Sequence, residues 1–311
     1  MHELLILSRR ADQYRRLIED ARLPQLHISA TSDSDDLSAV ARFEIVLGEP
    51  SLVRSALTRL TGMKWVQSTW AGVEPLLDPS LRRDYILTNA RGVFGPQMSE
   101  YVFGYMIARE RRMFEKYAAQ QAGRWDPAPP GTLRGKQIGL LGVGSIGAAL
   151  AATAKHFGMR VKGYTRGSEG CADVDAYFHG DDRVAFANNL DYLVSVMPNT
   201  AGTRHLVDAS LLAALPQRAV FINPGRGSVV DERALADALQ SGRLAGAVLD
   251  VFEQEPLPAD HVFWRTPSVL ITAHTAALSV PEDIAPVFVD NYRRWTAGEP
   301  LRYQVDFVAG Y

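Results

Sequence analysis

The sequence predicts an α/β protein of two parts, each with a parallel sheet covered by helices. Short apolar runs rich in β-branched residues alternate with helical stretches along most of the chain. The series pauses at residues 127–131, a segment of proline, alanine and glycine, and then starts again. The length of 311 residues also favours about two domains over one.

The first part is predicted from strands that alternate with helices and are followed by one long helix. Alternation of this kind builds a parallel sheet with helices on its faces. The long helix is expected from residue 99 to about residue 121, as a bridge between the two parts. The strands are expected at residues 4–7, 43–47, 64–68 and 85–88.

The second part is predicted from a longer series of strands, as a doubly wound dinucleotide-binding sheet requires. After His274 the chain forms a further helical stretch and a tail too short for a domain, so this segment is expected to return to the first part. We therefore expect one domain at 1–99 with 282–311, and another at 100–281. The strands are expected at residues 138–141, 160–164, 192–196, 220–223, 245–249 and 269–272.

Composition excludes several classes of function. The net charge of −2 provides no broad basic field, which argues against nucleic acid or an anionic membrane surface as a partner. The single cysteine, Cys171, cannot form an intramolecular disulfide or a thiolate metal cluster. We expect a cytoplasmic protein with a site that holds no metal.

Two segments could be mistaken for membrane or export signals. The apolar run at residues 4–7 precedes its arginines and is short, so it does not match a signal peptide. Between Lys136 and Lys155 lie 18 uncharged residues, enough to resemble a membrane span. Glycines interrupt that run, so we interpret it as a buried strand, a tight turn and a buried helix.

A glycine loop in that run predicts a dinucleotide site. Gly142, Gly144 and Gly147 form G-x-G-x-x-G directly after a strand and before an alanine-rich helix. The glycines permit a tight turn, close approach of backbone to a pyrophosphate, and contact between helix and strand. The amides that open the helix, at Ser145 and Ile146, are expected to face the phosphates. The alternative is a glycine-rich turn with no ligand.

The end of the next strand indicates which dinucleotide is preferred. An NAD enzyme is expected to carry a carboxylate there, about 20 residues past the loop, to bond the ribose hydroxyls. Thr165 and Arg166 occupy this place, and neither is acidic. Arg166 can pair with a 2′-phosphate and Thr165 can donate a hydroxyl, so we expect NADP(H) to be preferred, with NAD(H) possible. The alternative for Arg166 is a solvated surface charge.

Three polar residues after successive strands suit hydride transfer. Carboxyl ends of strands in an open α/β sheet face the ligand crevice, so Arg226, Glu255 and His274 are expected to converge. Arg226 can hold a 2-oxo carboxylate, and His274 can protonate the oxygen as hydride arrives. Glu255 can bond the other imidazole nitrogen and fix its tautomer. Taken singly, each could be a surface charge or a satisfied buried histidine.

These motifs resemble the D-2-hydroxyacid dehydrogenase family over nearly the whole chain. Residues 223–227, 249–258 and 274–276 look like the family's arginine, glutamate and histidine motifs. The resemblance implies a Rossmann cofactor domain, a discontinuous flavodoxin-like α/β substrate domain and a homodimer. It also implies that Arg226, Glu255 and His274 are catalytic.

Further residues follow from the resemblance alone. The loop at residues 67–73 is similar to the one that receives the substrate carboxylate, with Trp70, Ala71 and Gly72 in the binding positions. Asp250 matches a residue that contacts the nicotinamide carboxamide. Two departures from the family pattern are Ala273, where proline is common, and Ser99, where alanine is more usual.

Within the family, the chain is most similar to the NADPH-dependent, cytoplasmic reductases of glyoxylate and hydroxypyruvate. This resemblance implies reduction of glyoxylate to glycolate and of hydroxypyruvate to D-glycerate, with the histidine as general acid. It adds Met197 and Pro198 to the expected cofactor-binding residues. The similarity is carried by residues 125–127, 165–166, 197–200, 304–306 and 310–311.

Two other functions remain open on this scaffold. One is a dinucleotide-sensing binding protein, which is expected to need a partner groove and extra tails that this sequence does not show. The other is a dehydrogenase for a different donor, such as formate, phosphite or 3-phosphoglycerate. A formate enzyme would carry glutamine in place of Glu255, and residues 68–75 hold no lysine or arginine for a phosphorylated substrate.

Overall fold

The fold is described from a computed structural model of the protein, which covers residues 1–34 and 42–310. Residues 35–41, within the expected first domain, and Tyr311 of the C-terminal motif lie outside the described residues. The chain divides into two compact units, Met1–Val93 with Ser279–Tyr311, and Phe94–Leu278. These boundaries fall a few residues before those expected from sequence. Their assignment as substrate and cofactor domains stays a prediction.

Strands and helices alternate along the described residues. The strands are β1 (His2–Leu7), β2 (Leu26–Thr31), β3 (Ile45–Gly48), β4 (Trp65–Ser68), β5 (Ile86–Thr88), β6 (Gln137–Leu141), β7 (Arg160–Tyr164), β8 (Ala176–Phe178), β9 (Tyr192–Ser195), β10 (Val220–Asn223), β11 (Gly246–Leu249) and β12 (Val269–Ile271). The helices are α1 (Ala11–Asp20), α2 (Pro50–Ala56), α3 (Gly95–Glu110), α4 (Met113–Gln121), α5 (Ser145–His156), α6 (Arg183–Ala187), α7 (Ala209–Ala214), α8 (Glu232–Gln240) and α9 (Pro281–Ala297).

The first unit is built on a parallel sheet. Its five strands in the described part of the chain run in the order β2-β1-β3-β4-β5, and all their pairings are parallel. Strands β3 and β4 are buried along their whole length. Burial on both faces is why such strands occur in the sequence as short apolar runs without alternation.

Helix α9 anchors the C-terminal segment to this first sheet. The ring of Phe288 stacks on Trp65 of β4, with centroids 5.4 Å apart. One turn further on, the amide of Asn291 donates to Gln67 Oε1 at 2.9 Å in a buried position. The polar bond fixes the register of α9 against β4, because an unpaired buried amide would be costly.

The second unit holds a longer parallel sheet. Within the described residues its strand order is β12-β11-β10-β9-β6-β7-β8. The first strand, β6, lies inside the sheet, β7 and β8 follow on one side of it, and β9 to β12 follow on the other side. This doubly wound order places a switch point between β6 and β9, where open α/β sheets bind ligands. The uncharged run between Lys136 and Lys155 forms β6 and α5. In the part of the chain that is described, no helix is both long and apolar enough to cross a membrane.

Two strands, β2 and β8, were not predicted from the sequence. Each lies at an edge of its sheet and is only partly buried. Edge strands with one covered face do not need a continuous apolar run, so the sequence gives little indication that a strand forms there. The apolar strands of the sheet interiors were predicted to within about two residues at either end, as is usual for element boundaries.

The single helix expected from residue 99 to residue 121 is wrong. The chain forms α3 and α4, separated at Arg112, whose φ of 55° is left-handed. The returning segment explains the break, because the amide of Gly131 donates to the carbonyl of Glu110 at 2.7 Å. Lys116 and Arg112 then bond Asp126 in the same segment. These partners are distant in sequence, so helical periodicity could not reveal them.

Candidate active site

The glycine loop connects β6 to α5 and leaves no room for side chains. Gly142 has a φ of 96°, which L-residues with side chains rarely adopt. A Cβ on Gly147 would lie 2.2 Å from the carbonyl oxygen of Gly142, so any larger residue would force the loop open. Met197, after β9, lies against this turn, because its Cγ would be 3.4 Å from a Cβ on Gly142.

The same loop presents uncapped backbone donors. Helix α5 begins at Ser145, and no side chain caps its N-terminus. The first amides of a helix have no partner within it, and the helix dipole favours an anion there. A tight glycine turn with uncapped amides fits a dinucleotide pyrophosphate. Ser145, Ile146 and Gly147 are the residues that would hold it.

The end of β7 carries Thr165 and Arg166, as the sequence requires, but their environments differ. Arg166 is exposed, in the loop that follows the strand. Thr165 is buried, and its hydroxyl donates to the carbonyl of Ser168 at 3.0 Å. The single hydroxyl proton of Thr165 is therefore used within the loop, and the residue acts here by shaping the turn. No acidic residue occupies either position.

Arg226 follows β10 in a turn built by its neighbours. Buried Asn223 bonds both sides of this turn, since it donates to the carbonyl of Arg226 at 3.0 Å and accepts from the amide of Gly225 at 3.2 Å. A Cβ on Gly227 would lie 1.9 Å from the carbonyl carbon of Phe252. The glycines thus let the arginine turn pack directly on the backbone of the segment that carries Glu255.

His274 and Glu255 form a bonded pair. Nδ1 of His274 lies 2.8 Å from Glu255 Oε2, while Oε1 of Glu255 accepts the amide of Phe252 at 2.9 Å. The carboxylate is thus held on its own loop and in turn holds the imidazole. Because Nδ1 faces a carboxylate, Nε2 is the ring nitrogen left to meet a ligand. The side chain of His274 is 53% exposed, so a ligand can reach it.

Asp250 fixes the loop on which His274 lies. It is 1% exposed, and its carboxylate accepts the hydroxyl of Thr272 at 2.5 Å and the amides of Thr275 and Ala276 at 2.8 and 2.9 Å. Its backbone carbonyl accepts the amide of His274 at 2.8 Å. Four bonds therefore surround His274, whose φ of 56° is left-handed. The strain of that conformation is offset by this carboxylate.

A tyrosine that the sequence analysis did not single out extends the network. The hydroxyl of Tyr101, on α3, lies 2.9 Å from Thr272 Oγ1. Because Thr272 gives its own proton to Asp250, Tyr101 is the donor in this pair. Burial raises the pKa of Tyr101, so the phenol stays neutral and keeps its proton. Neither Tyr101 nor Thr272 belongs to a recognisable motif, and only the fold brings them together.

Residues 70–72 lie in the first unit, in the loop after β4. The carbonyl of Trp70 accepts the hydroxyl of Ser68 and the amide of Ala90, at 2.9 and 3.0 Å. The side chain of Asn89 donates to the carbonyl of Ala71 at 2.9 Å. Hydrogen bonds to the carbonyls of Trp70 and Ala71 thus hold the backbone of this loop in place. The substrate role of Trp70, Ala71 and Gly72 stays a prediction.

The second unit brings the other predicted site residues to one edge of its sheet. The turns after β6, β7, β9, β10, β11 and β12 all leave the carboxyl ends of parallel strands. They carry, in that order, the glycine loop; Thr165 and Arg166; Met197 and Pro198; Arg226; Asp250 and Glu255; and His274. A glycine turn with uncapped helix amides and a bonded histidine–glutamate pair, at one edge of a doubly wound sheet, are typical of dinucleotide-dependent oxidoreductases.

The chain belongs to the D-isomer specific 2-hydroxyacid dehydrogenase family. Residues 103–276 match the family model described as "D-isomer specific 2-hydroxyacid dehydrogenase, NAD binding domain". The match spans more than half of the chain. The family resemblance and the α/β fold class predicted from the sequence are both confirmed.

Individual relatives extend the similarity to the whole chain. Glyoxylate/hydroxypyruvate reductase A of Serratia proteamaculans is 33% identical over 299 residues, 93% of each chain. The crystal structure of a D-isomer specific 2-hydroxyacid dehydrogenase family protein from Aeromonas salmonicida subsp. salmonicida is 41% identical, with a TM-score of 0.93 over 98% of this chain and 99% of that one. A D-isomer specific 2-hydroxyacid dehydrogenase from Xanthobacter autotrophicus, in complex with NADPH and MES, is 32% identical, with a TM-score of 0.90 over 100% and 99%.

Replacing Asp250 with asparagine tests the support of the histidine loop. The NH2 group of the new side chain would face an N–H or O–H group whose hydrogen bond the carboxylate now accepts. Loss of that hydrogen bond should destabilise the loop by about 1–3 kcal/mol. We expect faster hydrogen exchange in the peptide covering residues 273–277 and a lower kcat. Asp260→Asn, at an exposed position of the same unit, is the control. Unchanged exchange at residues 273–277 in Asp250→Asn would show that the carboxylate does not hold this loop.

Proposed function

We propose that the chain reduces small 2-oxo acids with NADPH, converting glyoxylate to glycolate and hydroxypyruvate to D-glycerate. The observation that carries the proposal is the His274–Glu255 pair, fixed at the same sheet edge as a glycine loop that fits a dinucleotide. The relative from Serratia proteamaculans is named for reduction of these two substrates.

The mechanism assigns one task to each side chain. A nicotinamide cofactor, which the glycine loop would hold, would supply hydride to C2 of the substrate. Arg226 binds the substrate carboxylate and orients the carbonyl. His274 gives the proton on Nε2 to the carbonyl oxygen, so that the carbonyl group becomes a hydroxyl group. Glu255 stabilises the imidazolium before transfer and retains the ring orientation afterwards. Trp70, in the loop at residues 67–73, favours substrates with a short, uncharged tail.

We further propose that NADP(H) is preferred, with NAD(H) as a possible substitute. Two features support this preference. The end of β7 has no carboxylate to bond the ribose hydroxyls, and exposed Arg166 offers a cation for a 2′-phosphate. The relative from Xanthobacter autotrophicus has been solved with NADPH bound.

A homodimer in the cytoplasm completes the proposal. Helix α4 and the segment after it expose large apolar side chains, which on a monomer usually mark an interaction surface. A second copy of the chain is the partner we propose for this surface. The one cysteine, half-buried, suits a reducing compartment. The exposed side chains are Met113, Phe114, Tyr117 and Trp125.

The activity is tested by following NADPH and NADH oxidation with glyoxylate, hydroxypyruvate and pyruvate, in the native protein and in His274→Ala. We expect rapid oxidation of NADPH with the first two acids and a fall in kcat of about 10²–10⁴-fold in the variant, because the general acid is removed. His156→Ala, outside the site, is the control. Binding of NADPH without turnover of any 2-oxo acid would instead favour a sensing protein.

Charge reversal at Arg166 tests the cofactor preference. Arg166→Asp should lower the ratio of kcat/KM for NADPH to that for NADH by about tenfold or more, since a charge-assisted bond becomes a repulsion. Arg233→Asp, at an exposed position in the first turn of α8, changes the net charge equally and should leave the ratio unchanged. Equal ratios in the two variants would remove Arg166 from the cofactor site.

A further inference from the structure

His179 lies directly after β8 and contacts the loop that follows β7. The two strands are parallel neighbours, with Tyr164 paired to Phe178, so His179 leaves the sheet beside Thr165. Its Nδ1 is 2.9 Å from the carbonyl oxygen of Thr165, and its Nε2 is 2.7 Å from Glu169 Oε1. The imidazole thus bridges both ends of a loop that contains Arg166.

This geometry determines the protonation state of His179. A carbonyl oxygen can only accept a hydrogen bond, so Nδ1 carries a proton. The hydroxyl of Thr165, 3.2 Å from Nδ1, gives its own proton to Ser168 and is also an acceptor toward the ring. The Oε1 atom of Glu169 accepts the bond from Nε2, so Nε2 carries a proton as well. Both bonds together require an imidazolium cation.

The charges around His179 agree with this assignment. The hydrogen bond that His179 donates to Glu169, followed by the one it donates to the Thr165 carbonyl, raises the pKa of His179 above its ordinary value. Asp182, in the turn after β8, adds a smaller attraction in the same direction. The neutral ring of Tyr177 stacks parallel to the imidazole, with centroids 6.4 Å apart. The two charged groups that raise this pKa, Glu169 in the loop after β7 and Asp182 after β8, are both acidic.

Strand β8 supports the remainder of the loop as well. The hydroxyl of Tyr177 accepts the amide of Cys171 at 2.9 Å and donates to the carbonyl of the same residue at 3.2 Å. The segment from Thr165 to Cys171 is therefore tied to β8 at its start, middle and end. Loss of one proton from His179 would break one of these ties and remove the imidazolium charge that faces Glu169.

We propose that His179 is a specificity-determining residue, which makes the preference for the 2′-phosphate of NADPH dependent on pH. As an imidazolium it neutralises Glu169 and keeps the Arg166 loop in place. As a neutral imidazole it keeps only one of its two bonds to the loop, and the carboxylate of Glu169, no longer neutralised by the ring, repels the phosphate. The stabilisation is present below the ordinary pKa of histidine and is lost as pH rises through the raised value. This inference rests on the proposed cofactor preference.

The test measures binding of two cofactor fragments, adenosine 2′,5′-bisphosphate and 5′-AMP, by titration calorimetry from about pH 6 to about pH 9. In the native protein the preference, measured as the Kd of 5′-AMP divided by that of the bisphosphate, should fall as pH rises. The factor by which it falls should be about three- to tenfold smaller in His179→Gln, the range expected for one partly exposed ion pair. The phosphate has its own ionisation near pH 6, but it is common to both proteins. His27→Gln, which removes a His–Glu pair of the first unit, is the matched control.

Proton uptake separates a charge effect from a structural one. A phosphate dianion near His179 raises its pKa further, so binding of the bisphosphate near pH 8 should take up protons, whereas 5′-AMP should not. Titrations in Hepes and Tris, whose ionisation enthalpies differ, measure this uptake. It should be smaller in His179→Gln. Glu169→Gln should make the loss of preference with rising pH smaller, because no carboxylate then remains to repel the phosphate.

The outcomes distinguish this inference from the function on which it rests. The inference is overturned if His179→Gln keeps the pH dependence and the proton uptake, or if binding of 5′-AMP weakens as much as binding of the bisphosphate. If the native protein shows no preference for the 2′-phosphate at any pH, the proposed NADPH preference fails with it. Should His179→Gln not fold, Glu169→Gln and the native proton uptake decide the question.

Discussion

The buried carboxylate of Asp250 is the constraint on which the candidate active site depends. A charge removed from water is costly unless it is fully bonded, and this one accepts a hydroxyl and two amides. Its backbone continues the connection, since its amide donates to the carbonyl of Asn223 and its carbonyl accepts the amide of His274. The ends of β10, β11 and β12 are thereby tied to one residue.

Precise placement of the acid–base pair follows from that constraint. Glu255 bonds the imidazole of His274, while Asp250 bonds the backbone of the loop on which His274 lies. The side chains can therefore face solvent and still keep a fixed orientation, as the proposed transfer of a proton to a small substrate requires. Tyr101 and Thr272 carry the same support back to helix α3.

Sequence reasoning succeeded where one local pattern was sufficient. The buried strands, the glycine loop and the family motifs each depend on neighbouring residues. It failed where the deciding contact was distant or polar: Gly131 interrupts the long helix at Glu110, and edge strand β8 lacks an apolar run. The motif at residues 249–258 predicted Glu255 beside a histidine, but nothing in its spacing indicates that Asp250 bonds the histidine loop.

The direct test of the central claim is to follow hydride itself. The protein is incubated with hydroxypyruvate and NADPH that carries deuterium at both positions of nicotinamide C4, and the product is analysed by chiral separation and mass spectrometry. Hydride transfer from the cofactor to C2 predicts D-glycerate that carries deuterium at C2. Unlabelled glycerate, the L-isomer, or no glycerate while the cofactor stays bound would contradict the account.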